Sequence, residues 1–215
     1  MNPDTVFAIH SLGKSFVAVA VMQLVEDGKV GLDDPIEKYL PHFAGLWLIE
    51  SQEGQQRRVL KRPSRQPTIR DLLAHTAGLY LGGGHAPPAL RAEAMVQETR
   101  AEYVTILSQQ PLGYDPGSKA MYDSEGYFVL DRVVETVTGM AIEQFMQERI
   151  FRPLGMKDTC YTCTRWTPEL RARMASSYLL KDGKIVKNQF DFTPPSFRLP
   201  ASVPQKTWPR FTRWR

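Results

Sequence analysis

The chain has 215 residues, enough for one good-sized domain and too few to demand two complete ones. With 42% hydrophobic and 23% charged residues it reads as an ordinary globular protein, which excludes a disordered chain. The net charge of +4 comes largely from Arg57, Arg58, Lys61, Arg62 and Arg65 in one loop and from Arg198, Lys206, Arg210, Arg213 and Arg215 at the end; with no nucleic-acid motif beside them, these are expected to be solvated surface, and no nucleic-acid partner is expected.

The first predicted element runs from Ser11 to about Glu26 and stops at Asp27-Gly28, a glycine helix end. Its mouth spells Ser11-Leu12-Gly13-Lys14. Residues three apart lie on the same helix face, so the Lys14 amine can reach the Ser11 hydroxyl. A serine hydroxyl is a weak nucleophile until a neighbouring base takes its proton, and a lysine can be that base if its surroundings disfavour the ammonium form. The stretch Phe16 to Val25 is apolar nearly all round, which predicts a core helix. It is shorter than the roughly 18 apolar residues of a membrane span, so no span is expected. Residues 1–13 carry no positive segment, so no signal peptide is expected either.

Lys29 to Leu32 is predicted as an extended link, and Asp33-Asp34-Pro35 as a turn opening a short helix that ends at Leu40-Pro41. Trp47 to Leu60 alternates weakly around Glu53-Gly54, which predicts a surface hairpin. Thr68 is expected to cap a helix running to about Ala74, closed by Gly78. Leu81-Gly82-Gly83-Gly84 lacks the lysine and the strand and helix flanks of a phosphate-binding loop, and is expected to be a plain loop.

Arg91 to Gln109 is predicted as an amphipathic helix. Asp115-Pro116-Gly117 is a turn, followed by an exposed stretch through Asp123. Helical periodicity runs from Gly126 to Thr138 and ends at Gly139; Ile142 to Ile150 is a further helix, broken by Pro153-Leu154-Gly155. Cys160 and Cys163 cannot complete a zinc site, since the four histidines show no ligand spacing near them, and they are expected to be ordinary thiols. Ser176 to Val186 reads as a hairpin around Asp182-Gly183. After Val186 the sequence is Pro-rich and basic, without periodicity.

Tyr122 lies in Tyr122-Asp123-Ser124, just before a predicted helix. A tyrosine near a lysine ammonium can have its phenol pKa lowered and relay a proton to a leaving group. The alternative is a half-buried loop tyrosine using its hydroxyl as a polar handle.

Several blocks together resemble the serine β-lactamase and penicillin-binding-protein superfamily, and most closely its class C β-lactamase and family VIII carboxylesterase branch. They are Phe7-Ala8-Ile9-His10-Ser11-Leu12-Gly13-Lys14-Ser15-Phe16, Val21 to Val30 with Leu32-Asp33-Asp34-Pro35, Thr68 to Leu79, Tyr122-Asp123-Ser124-Glu125-Gly126-Tyr127, and Ile150 to Thr159. They span about residues 3–185 in the family's order. The resemblance implies an α/β (α+β) fold of the β-lactamase/transpeptidase type, here mostly its helical part with an incomplete central sheet. It implies a domain over 1–187, with 188–215 a tail outside the pattern.

The resemblance further implies that Ser11 is the acylated nucleophile, Lys14 its base and Tyr122 the proton shuttle, with no metal and no organic cofactor. His75 falls in a recurrent block but is not catalytic there, and a packing or capping role is expected of it. Ser124 stands, as the substrate-binding candidate, where many relatives carry asparagine. A hydroxyl cannot reproduce both the donor and the acceptor of an amide, which tilts the substrate from β-lactams and peptides toward simple esters.

Two further departures concern the sheet. With the nucleophile at position 11, no room is expected for strands before it. The family's late K-[ST]-G or H-x-G is not found, because Lys206-Thr207-Trp208-Pro209 lacks the glycine and sits among prolines. The Phe16 to Val25 helix is therefore expected to be partly exposed, and self-association through apolar surface is expected. Members of the family are often exported; this chain, as written, carries no export signal. The reading is a serine hydrolase acting through an acyl-enzyme on Ser11, on small-molecule carboxylic esters or β-lactam-like substrates. Two alternatives stay open: a catalytically incomplete binding or scaffold protein, and a penicillin sensor that is acylated without turnover.

Overall fold

The computed structural model describes residues 2–53, 57–79, 99–161, 167–187 and 202–204. The chain forms two compact units, residues 17–142 and residues 1–16 with 143–215. Predicted elements at Leu81-Gly82-Gly83-Gly84, the first part of Arg91 to Gln109, and most of the Pro-rich tail lie outside the described residues.

In residues 17–142 the apolar pattern of the sequence builds a helical core. Helix α1, Lys14–Glu26, opens in the other unit and buries Val17, Ala20, Val21 and Leu24 in this one. It is not buried all round: Val19 and Met22 are 36% and 41% exposed, the partial exposure expected of this helix. Single 3-10 turns at Ile36–Lys38 and Pro41–Phe43 replace the predicted short helix, because Pro41 has no N–H with which to continue it.

Strands β2 (Leu48–Glu53) and β3 (Arg57–Lys61) form the predicted hairpin. It is tied down by Leu112, whose N–H donates to Trp47 O and whose O accepts from Ile49 N–H, at 2.7 and 2.9 Å. Helix α2, Ile69–Leu73, begins at Thr68, whose hydroxyl and the Asp71 carboxylate form a reciprocal capping box. Helix α3, Arg100–Ser108, is capped in the same way by Thr99 and Glu102.

Both α2 and α3 pack on α4, Glu125–Thr138, which ends as predicted at Gly139 with φ 70°. The α3–α4 contact buries Arg100 against Asp131 at 3.1 Å and sets the Tyr103 ring edge-on to Phe128. Desolvation of two such buried charges offsets much of the attraction between them. Gly126 lets α2 and α4 approach: a Cβ there would meet Asp123 Oδ1 at 3.2 Å and Leu72 at 3.5 Å.

In the other unit the sequence left no room for a strand before the nucleophile, yet β1, Val6–Ala8, stands there. It pairs antiparallel with β6, Ser202–Pro204, in the tail read as aperiodic. On its other side the Val6 N–H donates to Arg173 O and Val6 O accepts from Ala175 N–H. Three-residue strands carry no readable alternation; they are made by partners far away in sequence.

Helix α5, Ile142–Met146, runs into a π-type turn at Gln147–Phe151, so the predicted single helix changes its winding halfway. Phe151 packs edge-on against Phe16. Helix α6, Pro168–Ala172, is capped by the Thr167 hydroxyl. Cys160 is disulfide-bonded, which corrects the expectation of ordinary thiols; Cys163 lies outside the described residues. The hairpin β4 (Tyr178–Lys181) and β5 (Lys184–Lys187) turns at Asp182 and Gly183, both at positive φ as a type I′ turn requires.

Candidate active site

Ser11 lies in a 3-10 turn, His10–Gly13, that leads straight into α1. The α-helix therefore starts at Lys14 and not at Ser11, yet the pairing survives the change. In a 3-10 turn residues three apart eclipse one another, so Ser11 and Lys14 still share a face. The Lys14 Nζ donates to Ser11 Oγ at 3.4 Å, with the serine exposed and the lysine half-buried.

The residue before the nucleophile is held in an unusual conformation. His10 has φ 44°, a left-handed backbone that costs a residue with a Cβ on the order of 1–3 kcal/mol. Such strain persists only where the surroundings impose it. Nothing in the sequence marks His10 for this role, beyond the tolerance of histidine for left-handed geometry.

Tyr122 and Ser124 belong to residues 17–142, and their surroundings are described within that unit. Tyr122 is 61% exposed, on the segment entering α4. Its neighbour Asp123 is buried and accepts Gly126 N–H at 2.7 Å, so Asp123 satisfies the first turn of α4. Ser124 is half-buried; its N–H donates to Glu125 Oε2 at 3.0 Å, and its hydroxyl does not cap α4.

The packing partner of this segment is His75. It stands after α2 with φ 58°, and its ring centroid lies 4.7 Å from that of Tyr122 and 5.1 Å from that of Tyr127. Its main-chain O accepts from Met121 N–H at 2.9 Å and from the Tyr114 hydroxyl at 3.2 Å, and its Nδ1 accepts from Asp123 N–H at 3.3 Å. The Tyr127 hydroxyl donates to Leu73 O at 3.1 Å, closing the same turn. Burial, with the nearby Asp123 charge adding to it, pushes the Tyr127 phenol up, so it stays protonated and keeps donating.

That turn is set from below by Asp71. Its carboxylate accepts from Arg65 Nη1 and, at 2.8 Å, from Nη2; from Thr68 N–H and hydroxyl at 2.9 and 2.8 Å; and from the Thr76 hydroxyl at 3.0 Å. Burial alone would raise its pKa, but these donors outweigh it and hold the carboxyl at about 2. Thr76 N–H also donates to Asp71 O at 2.8 Å, fixing the chain on the far side of His75.

Of the four site residues expected from sequence, the structure joins Ser11 to Lys14, and gathers Tyr122 and Ser124 on one short segment. The packing role expected of His75 is what its ring contacts with Tyr122 and Tyr127 show; the buried Asp123 is the residue sequence reading passed over. For His75 the local signal is a histidine directly after a capped helix and before Thr-Ala-Gly, a place where a left-handed residue is common. Among the described residues no group of three or more His, Cys, Asp or Glu is arranged to hold a metal ion, and no helix is long and apolar enough to cross a membrane.

Comparison with known proteins gives the family and the fold. The Beta-lactamase family model matches residues 1–189. The chain is 30% identical over 204 residues to the Mycobacterium tuberculosis protein Rv1367c, covering 92% of this chain and 49% of that one. It is 33% identical over 174 residues to lovastatin esterase of Penicillium rubens, covering 80% of this chain and 43% of the esterase. Among solved structures it resembles the octameric penicillin-binding protein homologue from Pyrococcus abyssi, with TM-score 0.70 and 26% identity, covering 99% of this chain and 45% of that one. The chain thus spans about half the length of the curated relatives it matches, and its fold is of the β-lactamase/transpeptidase type.

Proposed function

The chain belongs to the beta-lactamase family, and from that premise we propose that it is a serine hydrolase that forms an acyl-enzyme on Ser11 and acts on small-molecule carboxylic esters. The observation that carries this reading is the 3.4 Å contact between Lys14 Nζ and Ser11 Oγ. Lys14 takes the Ser11 proton as Oγ attacks the ester carbonyl carbon. The bond from that carbon to the alkoxy oxygen then breaks. The alcohol leaves with a proton relayed through Tyr122, and the acyl group stays on Ser11. Water attacks the acyl-enzyme and gives up its proton to the same base, releasing the carboxylic acid and restoring the serine. The chemistry needs no redox step.

Two observations favour esters over β-lactams. Ser124 occupies the position where the sequence resemblance leads one to expect asparagine, so a two-sided amide contact is lost. Lovastatin esterase is also among the relatives, at 33% identity.

The test is a fluorophosphonate probe on the full chain, read by peptide mass spectrometry. Modification is expected on Ser11, absent in Ser11→Ala. Labelling of Ser15, or labelling that persists in Ser11→Ala, would overturn the assignment. With p-nitrophenyl butyrate and a chromogenic cephalosporin offered side by side, the ester is expected to be the better substrate, with Ser124→Asn narrowing the gap. A preference of the unaltered chain for the cephalosporin would overturn the ester reading.

A further inference from the structure

The two residues that flank Tyr122 both donate their N–H groups to one residue, His75. Met121 N–H reaches its main-chain O at 2.9 Å, Asp123 N–H reaches its Nδ1 at 3.3 Å, and between them the Tyr122 ring lies tilted at 42° against the imidazole, with centroids 4.7 Å apart. We propose that His75 is a positioning residue for Tyr122, holding the tyrosine's backbone from both sides and its ring from one face. The proposal deepens the reading of Tyr122 as the proton-transfer group and rests on it.

The geometry carries the argument in three steps. First, at 61% exposure the Tyr122 ring keeps freedom that full burial would remove, so the place of its hydroxyl depends on the neighbours that anchor it. A neighbouring ring on one face, with both adjoining peptide groups anchored, removes that freedom. Second, an acceptor at Nδ1 assigns the proton of the neutral imidazole to Nε2. The same Nδ1 lies 3.8 Å from Asp123 Oδ2, so the imidazole faces both the main chain and the carboxylate of Asp123.

Third, the residue is itself over-determined. Its φ of 58° is a conformation that any side chain adopts at some cost, histidine less than most, and it is enforced by the Asp71–Thr76 bonds before and after it and by the Tyr114 hydroxyl on its carbonyl. A turn that needed only left-handed geometry would be served better by glycine. A side chain kept at that cost has work to do at its Nδ1 and its ring face.

That comparison supplies the test. His75→Gly relieves the backbone and keeps the carbonyl that accepts from Met121, but removes the Nδ1 acceptor and the ring. His75→Asn tolerates the same φ and offers its Oδ1 near the position of Nδ1. In the full chain we expect His75→Gly to stay folded, since relief of the left-handed backbone offsets part of the loss of the ring contacts and the Nδ1 bond. Its rate of Ser11 labelling by the fluorophosphonate should nevertheless fall on the order of 10- to 100-fold, the size of effect that a misplaced catalytic group produces. His75→Asn should recover a substantial part of that loss. A His75→Gly protein that labels at the unaltered rate would overturn the proposal.

A second measurement is independent of Ser11 chemistry. With tyrosine labelled at 13Cζ and the Tyr122 resonance identified by Tyr122→Phe, that resonance is expected away from the position of free tyrosine. It should move toward that position in His75→Gly and less so in His75→Asn. A Tyr122 resonance that coincides with free tyrosine in the unaltered chain, or that stays unmoved in both variants, would overturn the positioning role. If labelling of Ser11 fails in the unaltered chain while the Tyr122 resonance responds as described, the hydrolase reading falls and the His75–Tyr122 clamp stands.

Discussion

Replacing Asp71 by asparagine removes a charge on which the turn beneath His75 depends. The carboxylate is 6% exposed and receives five donors, from Arg65, Thr68 and Thr76. Its pKa falls from the ordinary 3.8 to about 2, and each unit is worth about 1.4 kcal/mol, so the anionic form stabilises the fold by about 2 kcal/mol over the protonated one. The folded pKa lies below the unfolded one. That stability is therefore fully present above the unfolded pKa and is lost as the pH falls from about 5 toward 2.

The new amide would also present an NH₂ to a ring of donors, adding a further loss. Urea unfolding followed by circular dichroism should show Asp71→Asn less stable by about 2–3 kcal/mol at pH 7. The gap should shrink as the pH drops toward 2, because the unaltered protein then loses its charge as well. A gap that is equally wide at pH 7 and pH 2 would refute the reasoning, since the effect would then come from shape and not from charge.

Two further outcomes follow from single positions. Gly78→Ala should lower stability by about 2–3 kcal/mol or prevent folding, measured by thermal unfolding, because its φ is 79° and a Cβ would sit 2.3 Å from Tyr114 O. The chain is expected to self-associate in sedimentation experiments through apolar surface such as Leu180 and Ile185, cross-strand partners that are 77% and 78% exposed; lysine at both should reduce association, and a monomeric unaltered chain would refute this.

The sequence made several helix caps, stops and turns legible because those signals are local. The Thr68 cap, the Gly139 stop and the Asp182-Gly183 turn each depend on residues within four positions, and each stands where it was expected. What was illegible depends on distance. β1 exists because Val6 meets Arg173 and Pro204, and no window around Val6 contains either. The short helix expected after Pro35 became two 3-10 turns because Pro41, itself read as its end, permits only a fresh start.

The same distinction runs through the site. The Ser11–Lys14 pairing was readable although the element was misjudged, because a spacing of three puts both side chains on one face in an α-helix and in a 3-10 turn alike. The pairing survives an error in the winding of the backbone. The place of His75 does not have that protection. It holds the Tyr122 segment through a main-chain carbonyl, which every residue carries, and through one ring nitrogen, whose role is fixed only when the N–H of Asp123 arrives from 48 positions away. A carbonyl has no sequence signature. The only local trace is the left-handed backbone at His75, and that trace says a turn is present without saying what the turn holds. For this reason the informative perturbation is glycine, which keeps the turn and removes what it holds.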